Sequence, residues 1–219
     1  MVKLLALLIA ACFLLGCTAR PTATPQPTLT PTIPATPIPK QPLYQIDTQA
    51  SIVDYLGTGA FNIQFPGTFS LKGNQIALVP EGDGYRVKVD VVMDGNSVTA
   101  VNDLVKGALY NNLEVPKYPT ARVLLDSVEL IKLDDSGGEI KFTGSGTIDL
   151  HGVVRNISIP LTMTIKDGTL HATGETKLDL LDHNVNVPTA IMSSTITFKA
   201  NITALEVTDR AVAATTATP

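Results

Sequence analysis

The chain has 219 residues, a formal net charge of −4, two cysteines and no tryptophan. This mildly acidic balance argues against nucleic acid as a partner, and against attachment to an anionic membrane surface through basic residues. Both cysteines, Cys12 and Cys17, lie near the start, so the long remainder of the chain has no thiol for a disulfide, a zinc–thiolate site or a nucleophile.

The first sixteen residues have the pattern of a secretory signal peptide. One cation, Lys3, precedes an unbroken apolar run that is too short to span a bilayer. The run ends in Leu14-Leu15-Gly16-Cys17, which resembles the bacterial lipobox, where a diacylglycerol is attached to the cysteine before cleavage. Two or three acyl chains on one cysteine anchor a protein stably. We therefore expect a lipoprotein signal peptide over residues 1–16, a lipid anchor at Cys17, and an extracytoplasmic protein held on the bacterial cell membrane. The alternative is an ordinary secreted protein.

The next segment, residues 17–42, is predicted to be an extended linker. Eight of the fifteen prolines lie between Thr18 and Pro42, interleaved with threonine. This composition is too poor in apolar residues to form a core and favours polyproline II, at about 3.1 Å per residue. We expect a folded domain over residues 43–208 and a disordered tail over residues 209–219.

Within the predicted domain, apolar and polar residues alternate with the period of two that is typical of half-buried strands. The clearest alternation covers residues 85–93, 140–150, 157–165, 170–180 and 196–204. Further strands are predicted around residues 51–59, 61–71, 75–79 and 121–133, with a hairpin loop at residues 134–138. A helix is predicted over residues 101–110, capped by Asn102 and Asp103.

Consecutive strands joined by tight turns, such as the one predicted at Asp167-Gly168, form an antiparallel meander. Eight such strands can close into a barrel or stack as a sandwich. We favour the barrel because small residues recur mid-strand on the apolar face, where they allow tight coiling. These residues are Gly144, Gly146, Ala172, Gly174 and Ala200. An eight-stranded barrel either fills its interior with side chains or holds one small ligand, and spacing alone leaves both open. The inward face is nearly free of charge, so any ligand should be apolar.

Several short motifs occur in a fixed order along the domain. They are Tyr44-x-Ile46-Asp47, Gly67-x-Phe69, Lys72-Gly73-x-x-Ile76, Asn102-Asp103-Leu104, Lys117-Tyr118-Pro119-Thr120-Ala121 and Gly146-x-Ile148-x-Leu150-His151-Gly152-Val153. In order and spacing this set resembles the YceI-like family, the bacterial polyisoprenoid-binding, lipocalin-like proteins. The resemblance implies an all-β fold, an extended antiparallel eight-stranded barrel with a short helical insertion near the mouth. It also implies that the lumen binds a long-chain isoprenoid, a quinone-like lipid or a similar amphiphile.

Large apolar residues on the inward face and in the helical segment are our candidates for lining the lumen or the mouth, although each could equally pack in a core. They are Phe65, Phe69, Leu109, Leu113, Tyr118, Phe142, Met163, Leu180 and Phe198. Tyr110 and Tyr118 are candidates for contacting a polar head group, because phenol hydroxyls near an opening can stay hydrated. The alternative function is a structural or protein-interaction module of the cell envelope with a filled barrel.

The titratable residues do not indicate an enzyme. His151, His171 and His183 have no short metal-ligand spacing, and each is better explained by a structural or solvated role. Gly144-Ser145-Gly146 lies within an alternating strand, whereas a nucleophile elbow requires a strand-to-helix turn. We expect no catalysis, no cofactor and no metal. The sequence leaves open whether the chain is a monomer or a homodimer.

Overall fold

The computed structural model describes residues 41–133 and 137–207. The predicted signal peptide, Cys17, nearly all of the linker, the first part of the hairpin loop at residues 134–136 and the C-terminal tail lie outside these residues. In the described part, no helix has both the length and the apolar character needed to cross a membrane.

The described residues form nine strands and one helix, with short 3₁₀ turns at three connections. The strands are β1 (Leu43–Ile46), β2 (Ile52–Thr58), β3 (Gln64–Glu81), β4 (Gly84–Asp94), β5 (Thr120–Ser127), β6 (Ile140–Leu150), β7 (Val153–Lys166), β8 (Thr169–Asp179) and β9 (Thr195–Glu206). The helix is α1 (Asp103–Asn112), and the 3₁₀ turns are Ala60–Asn62, Gly95–Ser97 and Leu180–His183.

The strands close into a barrel. Each strand from β2 to β9 pairs antiparallel with the next, and β9 pairs with β2 to complete a ring of eight. The short β1 lies in line with β2 and bridges β3 and β9. This topology confirms the predicted antiparallel eight-stranded barrel with one short helix.

The strand prediction was wrong in two places. The strands expected at residues 61–71 and 75–79 are one strand, β3, whose pairing with β4 shifts between Leu71 and Gly73. Gly73 and Asn74 have φ angles of 107° and 116°, which gives the segment the appearance of a turn, but a bulge bends a strand without ending it. The strand expected at residues 121–133 ends at Ser127.

The helix and the tight turns follow the predicted chemistry. The helix α1 begins two residues later than expected, and the Asn102 side chain accepts a hydrogen bond from the Val105 amide at 2.9 Å, as an N-cap does. The β7–β8 turn at Asp167-Gly168 has φ angles of 49° and 74°. The β6–β7 turn at His151-Gly152 has φ angles of 55° and 73°. Two consecutive left-handed residues match the twist of the flanking strands.

The two ends of the barrel differ. At the upper end, defined here by the carboxyl ends of β2, β4, β6 and β8, lie α1, the His151-Gly152 turn and the long connection that follows β8. Towards the lower end the interior is filled by large buried side chains, among them Ile76, Leu78, Val87 and Leu170. Among the described residues, the lower part of the interior is therefore more tightly packed than the part beneath α1.

Candidate functional site

The middle of the barrel encloses a cavity of about 100 Å³, named the lower cavity here. Side chains from every strand of the eight-stranded ring line it, and all but Thr173 and Thr176 among the lining residues are apolar. The predicted small residues Ala172, Gly174 and Ala200 face this space. Because their side chains are small, they leave part of the volume of this cavity unfilled. A wall of this kind offers water almost no hydrogen bonds.

A second cavity of about 60 Å³, the upper cavity, lies beneath α1. The helix contributes Leu109 and Leu113 to its wall. Four side chains line both cavities: Met93, Ile148, Leu178 and Phe198. The two spaces are therefore stacked along the lumen and separated by side chains alone. The upper cavity differs in having polar groups in its wall, from Tyr55, Tyr118, Thr120 and His151.

The structure brings most of the predicted site residues to this lumen. Phe142 and Met163 line the lower cavity, Phe198 lines both, and the upper cavity takes Phe69, Leu109, Leu113, Tyr118 and Leu180. Tyr110 packs against the core with its hydroxyl 3.4 Å from Asn96 Oδ1 and is outside both linings. Phe65 is half-buried beside Gly57 and Gly59 at the upper end, also outside both linings. Contact of any of these residues with a ligand stays a prediction.

Two buried histidines connect segments of the upper end through hydrogen bonds. His151 Nδ1 lies 3.1 Å from the His183 carbonyl oxygen, and His183 Nδ1 lies 3.1 Å from the Val153 carbonyl oxygen. The side chains are 8% and 2% exposed. A carbonyl oxygen only accepts, so both Nδ1 atoms donate. Sequence reasoning gave each histidine a structural role but missed their connection, because a separation of 32 residues carries no local signal.

Tyr118 and Glu114 complete the surroundings of His151. The Tyr118 ring packs against the His151 ring, with the ring centroids 4.4 Å apart. Glu114 Oε1 lies 3.7 Å from His151 Nε2, and the Glu114 side chain is half-exposed. His151 Nε2 is buried and has no hydrogen-bond partner among the described residues.

Tyr55 is a second polar group in the wall, and its hydroxyl is already satisfied. It donates a 2.6 Å hydrogen bond to the Thr99 carbonyl oxygen, which ties β2 to the segment before α1. Burial raises the pKa of the Tyr55 hydroxyl to about 12, so this donor stays neutral at physiological pH.

The helix above the upper cavity is held by few contacts. In α1, which is described over its full length, no residue is fully buried, and Leu109 and Tyr110 pack only partly against the core. Val115, just after the helix, is fully buried and fixes the end of the segment. Elements with little buried apolar surface open at the lowest free-energy cost. The helix is therefore an element of the upper end that can move at low free-energy cost.

A larger groove of about 580 Å³ lies outside the barrel, on the outer face of β2 and β3. Its wall includes Asp54, Thr68, Glu175 and Lys199 and is open to solvent.

Among the described residues, no group of three or more histidines, cysteines or carboxylates is placed to hold a metal ion. The two apolar cavities inside the barrel make the lumen the strongest candidate site for a small ligand.

Comparison with known proteins agrees with this geometry. A model of the YceI-like domain matches residues 44–204. A polyisoprenoid binding domain from Saccharophagus degradans, implicated in plant cell wall breakdown, is 17% identical over 75% of this chain and 98% of its own, with a TM-score of 0.59. Burkholderia cenocepacia BcnA is 17% identical over 72% of this chain and 98% of its own, with a TM-score of 0.55. At this identity the two structures show a shared fold. No curated protein matches the chain.

Proposed function

The chain belongs to the YceI-like domain family, and on that premise we propose that it binds a long apolar lipid, an isoprenoid or quinone-like chain, in the barrel lumen. One observation carries the proposal: the lower and upper cavities are apolar spaces stacked inside the barrel, with α1 over the upper one. Their volumes, about 100 Å³ and 60 Å³, hold only part of a long chain, so the side chains that line the lumen would have to move apart as the tail enters. The solved Saccharophagus degradans domain of the same fold, described as polyisoprenoid-binding, supports the lipid class.

The physical basis of binding is burial of the lipid tail. Each cavity is several times the roughly 10–15 Å³ that a single water molecule needs, yet the lower cavity offers water few partners. Hydrocarbon needs no hydrogen bonds and gains about 25 cal/mol for each Å² removed from water. Met93 lies between the cavities, and its unbranched side chain can change rotamer to join them into one channel. The tail would enter beneath α1, which buries none of its residues fully.

Native mass spectrometry of the full chain, purified gently from the cells that make it, tests lipid binding. We expect an added mass of an isoprenoid-type lipid that is lost on denaturation and recovered in an organic extract. Acyl groups attached covalently would remain on the denatured chain, so the two kinds of lipid are distinguishable. Protein that carries no dissociable lipid would contradict the proposal and favour a structural or protein-interaction module of the envelope.

We further propose that the barrel is held on the outer side of a bacterial membrane by acyl chains on Cys17. The lipobox-like sequence before Cys17 and the proline-rich linker after it support this arrangement. The linker is long enough to let the barrel stand well away from the membrane. The anchored protein would act as a lipid-binding protein of the envelope and not as an enzyme.

Cys17→Ser is expected to abolish incorporation of labelled palmitate and to leave the precursor uncleaved. The reason is that the thiol is the atom that would carry the diacylglycerol, whereas a serine hydroxyl does not replace it. Metabolic labelling and the mass of the mature chain measure both effects. Cys12→Ser, inside the predicted signal peptide, is the matched control and should be labelled and cleaved normally. Labelling of the Cys17→Ser protein would show that the anchor lies elsewhere.

A further inference from the structure

The polarity of the lumen changes along its axis. The lower cavity is lined by apolar groups and two threonines, whereas tyrosine and histidine side chains enter the wall only in the upper cavity. An amphiphile whose tail fills the lower cavity therefore places its head group under α1, near Tyr55, Tyr118 and His151. The Tyr55 hydroxyl already donates to Thr99, so it is a poor candidate for the principal contact.

His151 is a better candidate than Tyr55, because one of its ring nitrogens lacks a hydrogen-bond partner among the described residues. The ring is 8% exposed, and Nε2 is buried without a hydrogen bond among the described residues. Since Nδ1 donates to the His183 carbonyl oxygen, the neutral ring leaves Nε2 as a lone-pair acceptor. The nearest charged group, Glu114, offers another acceptor at 3.7 Å and cannot satisfy it. A buried acceptor of this kind requires a donor.

We infer that His151 Nε2, with the Tyr118 ring as a wall, forms a head-group site that accepts a hydrogen bond from a hydroxyl of the bound amphiphile. The ligand class is a long-chain prenol or a hydroxylated isoprenoid. An ether or ketone oxygen only accepts and would leave Nε2 unpaired. The half-exposed Glu114 side chain can turn towards solvent to admit the head group. The inference rests on the proposed lipid-binding function and adds the chemistry of the head group to it.

The test compares two ligands with the same tail, geranylgeraniol and its methyl ether, binding to lipid-free full-length protein. We expect the alcohol to bind several-fold to about tenfold more tightly, since one hydrogen bond to a buried acceptor separates them. In His151→Asn the ratio of the alcohol affinity to the ether affinity should fall to about one. Asparagine tolerates the left-handed φ of 55° and can replace the Nδ1 donor, but it has no atom at Nε2.

His171→Asn is the matched control. His171 lies on the exposed outer face of β8 with Nδ1 3.2 Å from Thr203 Oγ1, and its substitution should leave the preference intact. Glu114→Ala is a second variant at an exposed position, and it should also keep the preference. Loss of the preference in Glu114→Ala would show that the Glu114 carboxylate, and not His151 Nε2, accepts the hydrogen bond from the hydroxyl, and would overturn the inference.

The two hypotheses fail in different ways. Equal binding of alcohol and ether to the unmodified protein would overturn the head-group site while the lipid-binding function stands. An alcohol preference that persists in folded His151→Asn would also overturn the site. Failure of both ligands to bind would contradict the proposed function, and the head-group site with it.

Discussion

Ala200→Phe is expected to weaken binding of long apolar lipids by about tenfold to a hundredfold while the barrel stays folded. Ala200 lies on β9, opposite Gly174 of β8, and both residues line the lower cavity. A benzene-sized guest occupies a cavity of roughly 150 Å³ in a protein core. The lower cavity, at about 100 Å³, is smaller than that, so a phenyl ring at position 200 would fill it completely and press on the side chains around it.

The size of the effect follows from the surface that the tail can no longer bury. Excluding roughly 100 Å² of hydrocarbon at about 25 cal/mol per Å² removes about 2.5 kcal/mol of binding free energy. Each 1.4 kcal/mol or so corresponds to a factor of ten in affinity. A competition assay with a fluorescent long-chain lipid on lipid-free protein measures the change.

The matched control is Ser158→Phe, which adds the same ring to the exposed outer face of β7. We expect its affinity to equal that of the unmodified protein. The melting temperature provides a second readout. A ring slightly larger than its cavity should cost the lipid-free protein no more than the roughly 1–3 kcal/mol of an overpacked core, so the variant should stay folded. Undiminished binding by folded Ala200→Phe would show that the tail does not occupy the lower cavity.

The barrel could be predicted from the sequence because strands and tight turns are indicated by patterns within short segments of the chain. Alternation over residues 140–150 and 196–204 fixes which face of β6 and β9 is buried, and the Asp167-Gly168 turn fixes the hairpin between β7 and β8. The bulge in β3 was missed because Gly73 and Asn74 have the composition of a turn. Only the pairing of β3 with β4 on both sides of the bulge shows that the strand continues, and that pairing depends on a neighbour.

The candidate site was only partly accessible from the sequence. Periodicity identified small residues on the inward face, and the structure shows that Ala172, Gly174 and Ala200 meet at one cavity. Small residues on different strands meet at one cavity only if they lie at the same height along the barrel axis. That height depends on the stagger between strands, which the alternation of apolar and polar residues within one strand does not reveal. The buried acceptor of His151 was missed for a related reason, because its environment is built by His183, Glu114 and Tyr118 from separate connections.

Gly146→Ala is expected to destabilise the barrel by several kcal/mol, and more than any other glycine-to-alanine change in β6. A Cβ at Gly146 would lie far inside contact distance of the Leu124 carbonyl oxygen, 2.9 Å from the Leu124 carbonyl carbon and 3.0 Å from Leu125 Cα. All three atoms belong to the backbone of β5, so no side-chain rotation relieves the contact. The β5–β6 pairing would have to separate, and we expect a cost of about 3–5 kcal/mol, in the upper range of single substitutions that is reached when the backbone is strained.

Gly144→Ala is the control that isolates the cause, since Gly144 lies two residues earlier on the same strand and the same face. A Cβ there would lie 2.9 Å and 3.1 Å from the Cδ1 atoms of Leu161 and Leu125, and 3.3 Å from Leu125 Cβ. The Cδ1 atoms belong to side chains that border the lower cavity and can turn into it, and the contact with Leu125 Cβ needs only a shift of a few tenths of an ångström. We therefore expect a change near the lower end of the roughly 1–3 kcal/mol range for overpacking. Urea unfolding of both variants measures the two free energies. Equal destabilisation of the two variants would mean that the loss of glycine flexibility, and not the close approach of β5, sets the free-energy cost. A large difference would show that Gly146 is required for β5 and β6 to lie close enough to close the barrel.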